Sequence, residues 1–310
     1  MRVFFVSDIH GSETCFRKLV NAGKFYGADL LIMGGDLAGK ELVPVVEREA
    51  SWTARFRGTE FSMDTLAEVA EFERRVATMG PYTLRTDPDF VAELARDQEL
   101  VEKMLRDLIL ERTEQWIALA ADRLAGTGIR LLIGLGNDDF EEMIPYLSLG
   151  PVGYAPDGLL DLGDFTLVSL GWSNITPWRT NRECTEEALA EKLAVVHDSA
   201  DPSRTIFNIH VPPNDCGLDL APRLDESLQI QLVGGQPDMV PVGSASVAES
   251  IAAYQPLLSL HGHIHEGRGM TRKGRTVVLN PGSEYEQACL LGALIDIKPG
   301  KVKRCQLVTG

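Results

Sequence analysis

Asp8 and His10 in Asp-Ile-His, Asp36 after Gly-Gly, Asn137 after Gly, His210, and His263 and His265 in Gly-His-Ile-His are side chains suited to holding two metal ions. Carboxylate, carboxamide and imidazole donors from distant parts of a chain suit borderline divalent ions. Mn²⁺ is foremost, with Fe²⁺, Ni²⁺ or Zn²⁺ as alternatives, whereas Ca²⁺ prefers an all-oxygen cage. Two such ions about 3.5–4 Å apart can share one carboxylate and one hydroxide; the hydroxide attacks phosphorus in line while the ions polarise a phosphoryl oxygen. The set therefore predicts a phosphoester hydrolase.

Each fragment alone says less. Asp8 could cap the helix that follows it, and His10 could be an ordinary surface residue. His263 and His265 are more specific, because alternate residues of extended chain share a face and both imidazoles then point one way. The joint occurrence decides, since four of the six histidines fall in the set and only His197 and His261 stand outside it.

The elements that must position these groups are short apolar runs. Residues 2–6, 28–33, 129–133, 204–209 and 256–260 read as strands, and each leads directly into one of the ligand fragments. Ligands gathered beyond the carboxyl ends of strands are the normal arrangement on an open α/β sheet. Glycines beside Asp36, Asn137 and His263 let backbone approach closely.

In order, Asp8-x-His10, Gly35-Asp36, Gly136-Asn137, His210 and Gly262-His-x-His265 resemble the motifs of the calcineurin-like metallophosphoesterases. The resemblance implies an α/β fold, a four-layer α/β/β/α sandwich of two mixed sheets, around a dinuclear centre. It also implies that Asp8, His10 and His265 hold one metal, that Asn137, His210 and His263 hold the other, and that Asp36 bridges them. His210-Val-Pro-Pro213 and Asn280-Pro-Gly-Ser283 are further points of likeness. One position departs: the family's usual Gly-Asn-His-Asp/Glu is here Gly136-Asn137-Asp138-Asp139, without the imidazole that contacts the scissile phosphate or leaving group.

Asp138 is thus a candidate catalytic residue with a charge consequence. If ionised and about 5 Å from substrate, it costs on the order of 3 kcal/mol per substrate charge at an effective dielectric of 20. A dianionic monoester suffers twice what a diester does, so a small phosphodiester is the expected substrate. Alternatively, Asp138 is protonated beside the anion and acts as the acid, or it merely caps a helix over 139–145. His261 is a conceivable replacement imidazole. A phosphomonoesterase, or a catalytically weak scaffold binding a protein partner through an insertion, are the competing functions.

Composition bounds the rest. A chain of 310 residues, 44% hydrophobic and 24% charged, matches one large globular domain. No apolar run is long enough to span a membrane, and the chain enters its first strand without a leader, so a cytoplasmic protein is expected. Cys15, Cys184, Cys216, Cys289 and Cys305 lack Cys-x-x-Cys spacing and read as reduced thiols. A net charge of −15 disfavours nucleic acid as partner.

Asp36 and Asn137 lie 101 positions apart, where a strand–helix–strand passage needs roughly 30. The chain reads as one domain, 1–310, interrupted by a mainly helical insertion at about 41–127. Its helices are predicted over 63–76 and 88–124, forming either a cap over the site or an arm that makes a homo-oligomer. Arg55 and Arg57 could reach a substrate if this segment overhangs the site. The loop 171–179 offers Asn174 and Trp178 as substrate contacts. Further on, the pattern predicts a helix over 185–200, a strand over 228–232, a helix to residue 253, and closing antiparallel strands over 276–279, 288–297 and 301–307.

Overall fold

Burial alternates along the first strand, Arg2–Val6: Val3 and Phe5 face one core, Phe4 another. The same alternation runs through Leu30–Met33 and Arg130–Ile133; the first pairs in parallel with Arg2–Val6 and the second in parallel with the first. In a sheet covered on both faces this is what buries every side chain. The computed structural model describes residues 1–197 and 201–310.

Two mixed sheets result. One has the order Lys301–Thr309, Leu291–Lys298, Arg2–Val6, Leu30–Met33, Arg130–Ile133, Val152–Tyr154, its C-terminal hairpin joined to the first strand in antiparallel fashion. The other has the order Thr166–Leu170, Thr205–Ile209, Leu258–Leu260, Thr276–Asn280, Gly269–Lys273, with only the last strand antiparallel. Three apolar cores separate four layers. Phe5, Ile32, Leu132, Leu167, Ile206 and Leu279 pack between the sheets. Helices Glu13–Tyr26 and Gln98–Leu124 cover the first sheet through Phe16, Leu19, Trp116 and Ala120. Helices Glu186–His197 and Ala245–Tyr254 cover the second through Leu189, Leu193, Val247 and Ile251. Burying each such large apolar side chain contributes about 1.5–3 kcal/mol. The fold is the expected α/β sandwich.

The insertion holds more strand than the periodicity suggested. Helices Leu66–Thr78, Pro88–Leu94 and Gln98–Leu124 are present, but so is a four-stranded sheet of order Thr59–Met63, Trp52–Phe56, Leu42–Glu47, Tyr82–Thr86. Val69, Phe72 and Val76 of the first helix close a separate core on Val43, Val45 and Phe56. Its start is a capping box: Thr65 Oγ1 accepts from Glu68 N, and the Glu68 carboxylate accepts from Thr65 N. Asp87 and Asp97 each cap a helix, so the run 88–124 is two helices and not one.

Other expectations shift. The helix over 139–145 is a 3-10 turn at Glu141–Tyr146. That over 185–200 is seen as Glu186–His197, its last three positions lying outside the described residues. The strand over 228–232 does not form; Asp225 Oδ1 accepts from Ser227 N and Gln229 N, and Leu228 turns to φ 60°. Such a side-chain turn competes with sheet pairing. Short pairs form instead, Leu220–Pro222 with Met239–Pro241 and Leu232–Val233 with Gln236–Pro237. Among the described residues no helix is long and apolar enough to cross a membrane.

Candidate metal centre and adjoining cleft

The loops after five strands converge at one edge of the sandwich and bring the seven candidate ligands together. Asp8, His10 and His265 offer donor atoms within 4.8 Å of one another, as do Asp8, Asp36 and His210. His10 Nε2 is 3.0 Å from His265 Nε2 and 3.7 Å from Asp36 Oδ2. His210 Nε2 faces Asp36 Oδ2 at 3.3 Å and Asp8 Oδ1 at 3.7 Å. Asn137 Oδ1 meets His263 Nδ1 at 2.7 Å, while the His263 amide donates to Asp8.

Local backbone is bent hard to achieve this. Asp8, His10, Asp36 and His263 have φ of 56°, 38°, 55° and 66°, all in the left-handed region. Two glycines are sterically required: a Cβ on Gly136 would collide with the Asp36 carboxylate, and one on Gly262 with that of Asp8. The supports come from other motifs. Asp139, wholly buried, accepts from the amides of Leu37, Ala38 and Gly136, tying the Asp36 loop to the Asn137 loop. Asn280 Nδ2 donates to the carbonyls of Gly262 and Ile264, and Ser283 Oγ to that of Asp8.

The electrostatics ask for cations. Burial and Asp36 push Asp138 up to about 8 against the pull of Lys40. Burial also raises Asp8, against His210 and His265. For Asp36, burial works the same way, but His210 and His10 outweigh it and hold the carboxyl well below its ordinary value. Burial opposes charge on His210, yet Asp36 and Asp8 bring it up to about 9. Its ring is fully buried with no hydrogen bond at either nitrogen. An imidazole so placed among carboxylates has the donor set and the unmet bonding of a metal ligand. The residues fit two divalent ions.

Several contributors escaped the sequence reading. Thr180 Oγ1 accepts from Asn137 Nδ2 at 2.8 Å and donates to Glu183, so Asn137 must present its oxygen inward. Tyr285 packs on His10 with ring centroids 4.8 Å apart. Lys40 Nζ lies 2.5 Å from Asp138 Oδ2, whose carboxylate is also 3.8 Å from His10 Nδ1. Lys40 follows Asp36 by only four positions, yet a lone lysine in a loop carries no signal of its own.

Asp138 caps nothing: the 3-10 turn has Phe140 at its head, without a side-chain cap. Nor does His261 replace the missing imidazole. It is wholly buried, bonded to Ser259 Oγ at 2.7 Å and to the Ile209 carbonyl, and burial pushes it down to about 4.

A cleft of about 550 Å³ opens from Asp138 and Lys40, walled by Leu105, Ile109, Phe140 and Trp178. Trp178 therefore sits where a substrate contact was expected. Asn174 does not: its Nδ2 donates to the Val242 carbonyl, away from the cleft lining, because its short strand Ser173–Asn174 pairs with Glu183–Cys184. Arg57 pairs with Glu286 at 3.0 Å, and Arg55 is exposed.

No family model matches the chain. Over 149 residues it is 30% identical to the uncharacterized protein MJ1162 of Methanocaldococcus jannaschii, a match covering 47% of this chain and 61% of that protein. The chain thus spans less than two thirds of that relative's length. Among solved structures, TT1561 of Thermus thermophilus aligns with a TM-score of 0.51 at 13% identity, over 100% of this chain and 97% of that one. Another crystal structure aligns with a TM-score of 0.56 at 16% identity, covering 98% of each chain. At these identities the likeness is one of fold.

Proposed function

We propose that the protein is a dinuclear metal-dependent phosphoesterase acting on a small phosphodiester. The carrying observation is His210, buried without a hydrogen bond and facing Asp8 and Asp36 inside a ring of further donors. Asp8, His10 and His265 would hold one ion and Asn137, His210 and His263 the other, with Asp36 common to both and Mn²⁺ the ion to load first. Bound ions would supply Lewis-acid polarisation of phosphoryl oxygens and acidify water.

The chain's own groups do the rest. Thr180 orients Asn137, and Asp139 fixes the spacing of the two loops that carry Asp36 and Asn137. Lys40 alters the charge argument for Asp138. With Asp138 pushed up to about 8 beside the Lys40 ammonium, the pair carries no net negative charge, so repulsion of a second substrate charge is offset. What continues to support a diester is the cleft: it begins beside the donor cluster and has room for an ester arm. No imidazole among the described residues stands at Asp138's place to help a monoester leaving group.

The test compares Mn²⁺-loaded protein on an aryl diester and on the monoester of the same alcohol, with Asp138→His alongside. The expected result is faster diester turnover in wild type and a relative gain in monoester turnover in the variant. Equal or greater monoester activity in wild type overturns the diester assignment. Complete inactivity with two ions bound overturns the phosphoesterase assignment itself.

A further inference from the structure

We propose that the cleft beside the donor cluster is a leaving-group subsite, and that the group it takes is an uncharged aromatic alcohol. This rests on the phosphoesterase reading above and goes on to specify the substrate class.

Position comes first. Asp138 joins cleft and cluster: its amide donates to Asp36 Oδ1 at 2.9 Å, and the residue lines the cleft. A phosphoester held at the cluster could extend one of its arms into this space. About 550 Å³ is far more than a phosphate needs and falls within the range of organic-ligand sites.

Chemistry comes second. Leu105, Ile109 and Phe140 give the cleft apolar surface beside the Glu102 carboxylate and Arg106, and Trp178, from the loop 171–179, lines it with 61% of its surface exposed. That exposure is not the looseness of a free loop. Trp178 N donates to Thr176 Oγ1, and Glu183 accepts from both hydroxyl and amide of Thr176 and of Thr180. An exposed indole on a loop whose backbone is tied down, lining the same cleft as these apolar side chains, offers a stacking surface for a flat ring. The cations of the lining are already engaged, Lys40 with Asp138, and Arg106 with Glu142 and the Phe140 ring. A leaving group carrying a further phosphate would meet no unpaired positive charge among these lining residues; an uncharged ring meets complementary surface.

The test uses full-length, Mn²⁺-loaded protein and two methyl phosphodiesters, one with a phenol leaving group and one with a fluorinated aliphatic alcohol of matched acidity. Wild type is expected to favour the phenyl ester in kcat/KM. Trp178→Ala should raise KM for the phenyl ester about tenfold, a clearly larger loss than on the aliphatic ester, and Trp178→Phe should restore most of it. Equal kcat/KM for the two esters, or an equal loss on both in Trp178→Ala, overturns the subsite. If neither ester turns over, the phosphoesterase reading fails separately, and calorimetric binding of phenylphosphonate decides: weaker binding to Trp178→Ala supports the subsite, unchanged binding overturns it.

Discussion

Asn137, a ligand in the proposed function, shows how a donor's orientation depends on groups outside the donor cluster. Its carboxamide has two faces, and only the bond from Nδ2 to Thr180 Oγ1 decides that oxygen points at His263. Thr180→Val keeps the shape and removes the acceptor. One of two Mn²⁺ sites should then weaken about 10- to 100-fold, with the other unchanged, as read by titration calorimetry; two unaltered sites would show that Thr180 does not act on Asn137. The seven donor residues were legible because strand ends and histidine economy mark them out. Thr180, Lys40 and Tyr285 were not, because each reaches the cluster through tertiary contacts that leave no local pattern. Asn174 is placed differently: its Nδ2 donates to a distant backbone carbonyl, that of Val242, and it is not among the residues lining the cleft. The positive φ at Asp8, His10, Asp36 and His263 costs on the order of 1–3 kcal/mol each, which the supporting network of Asp139, Asn280 and Ser283 holds in place.

At the scale of elements, the helices of the insertion were more readable than its strands. Asp87 before Pro88 marks a helix start, whereas Asp97 caps Gln98–Leu124 inside a run that read as one helix over 88–124. The hairpin Trp52–Phe56 to Thr59–Met63 turns on Arg57-Gly58, with φ of 48° and 78°. That backbone favours Asn-Gly or Asp-Gly, so an arginine there gave little warning. Pro44 further disguised the strand Leu42–Glu47. One helix start is capped from a distance: Glu186 accepts from Ser244 Oγ and from the amides of Ala245 and Ser246, at the head of Ala245–Tyr254. Burial pushes the Glu186 carboxyl up, but these donors outweigh it and leave its pKa lowered. Because the folded value is the lower, its contribution is present above the unfolded value of about 4.3 and is lost as pH falls through the folded value. Glu186→Gln should therefore destabilise by about 1 kcal/mol near neutrality, allowing for its partial exposure. The difference from wild type should vanish in acid, as followed by urea unfolding across pH; a constant difference would contradict a charge-dependent cap.

On the scale of the whole molecule, the sheet strands were legible because runs buried on both faces of a sheet read as continuous apolar strands, while the four-layer arrangement was implied by the resemblance of the motifs. The segment 214–243 was less legible. It reads as a long loop with one strand over 228–232, and that strand is replaced by short pairs, with Leu232 and Val233 62% and 68% exposed. Charge is concentrated as well as layered, with Asp8, Asp36, Asp138 and Asp139 around one point in a chain of net charge −15. Chelation should consequently lower the melting temperature, since ions at a hundredfold excess over Kd add about 2.7 kcal/mol per site. A scanning-calorimetry trace indifferent to EDTA would place the ions elsewhere. The first strand is clamped on one side by Leu30–Met33 and on the other by Leu291–Lys298, with the Met1 ammonium donating to the Ile297 carbonyl. In biosynthesis this reverses the usual order of completion. The strand Arg2–Val6 gains its second neighbour only when the hairpin 291–309 has been made, and Asp8 and His10 at its end wait almost as long for His263 and His265. The donor sets of the proposed function therefore stay half-built until the chain has been made through residue 265.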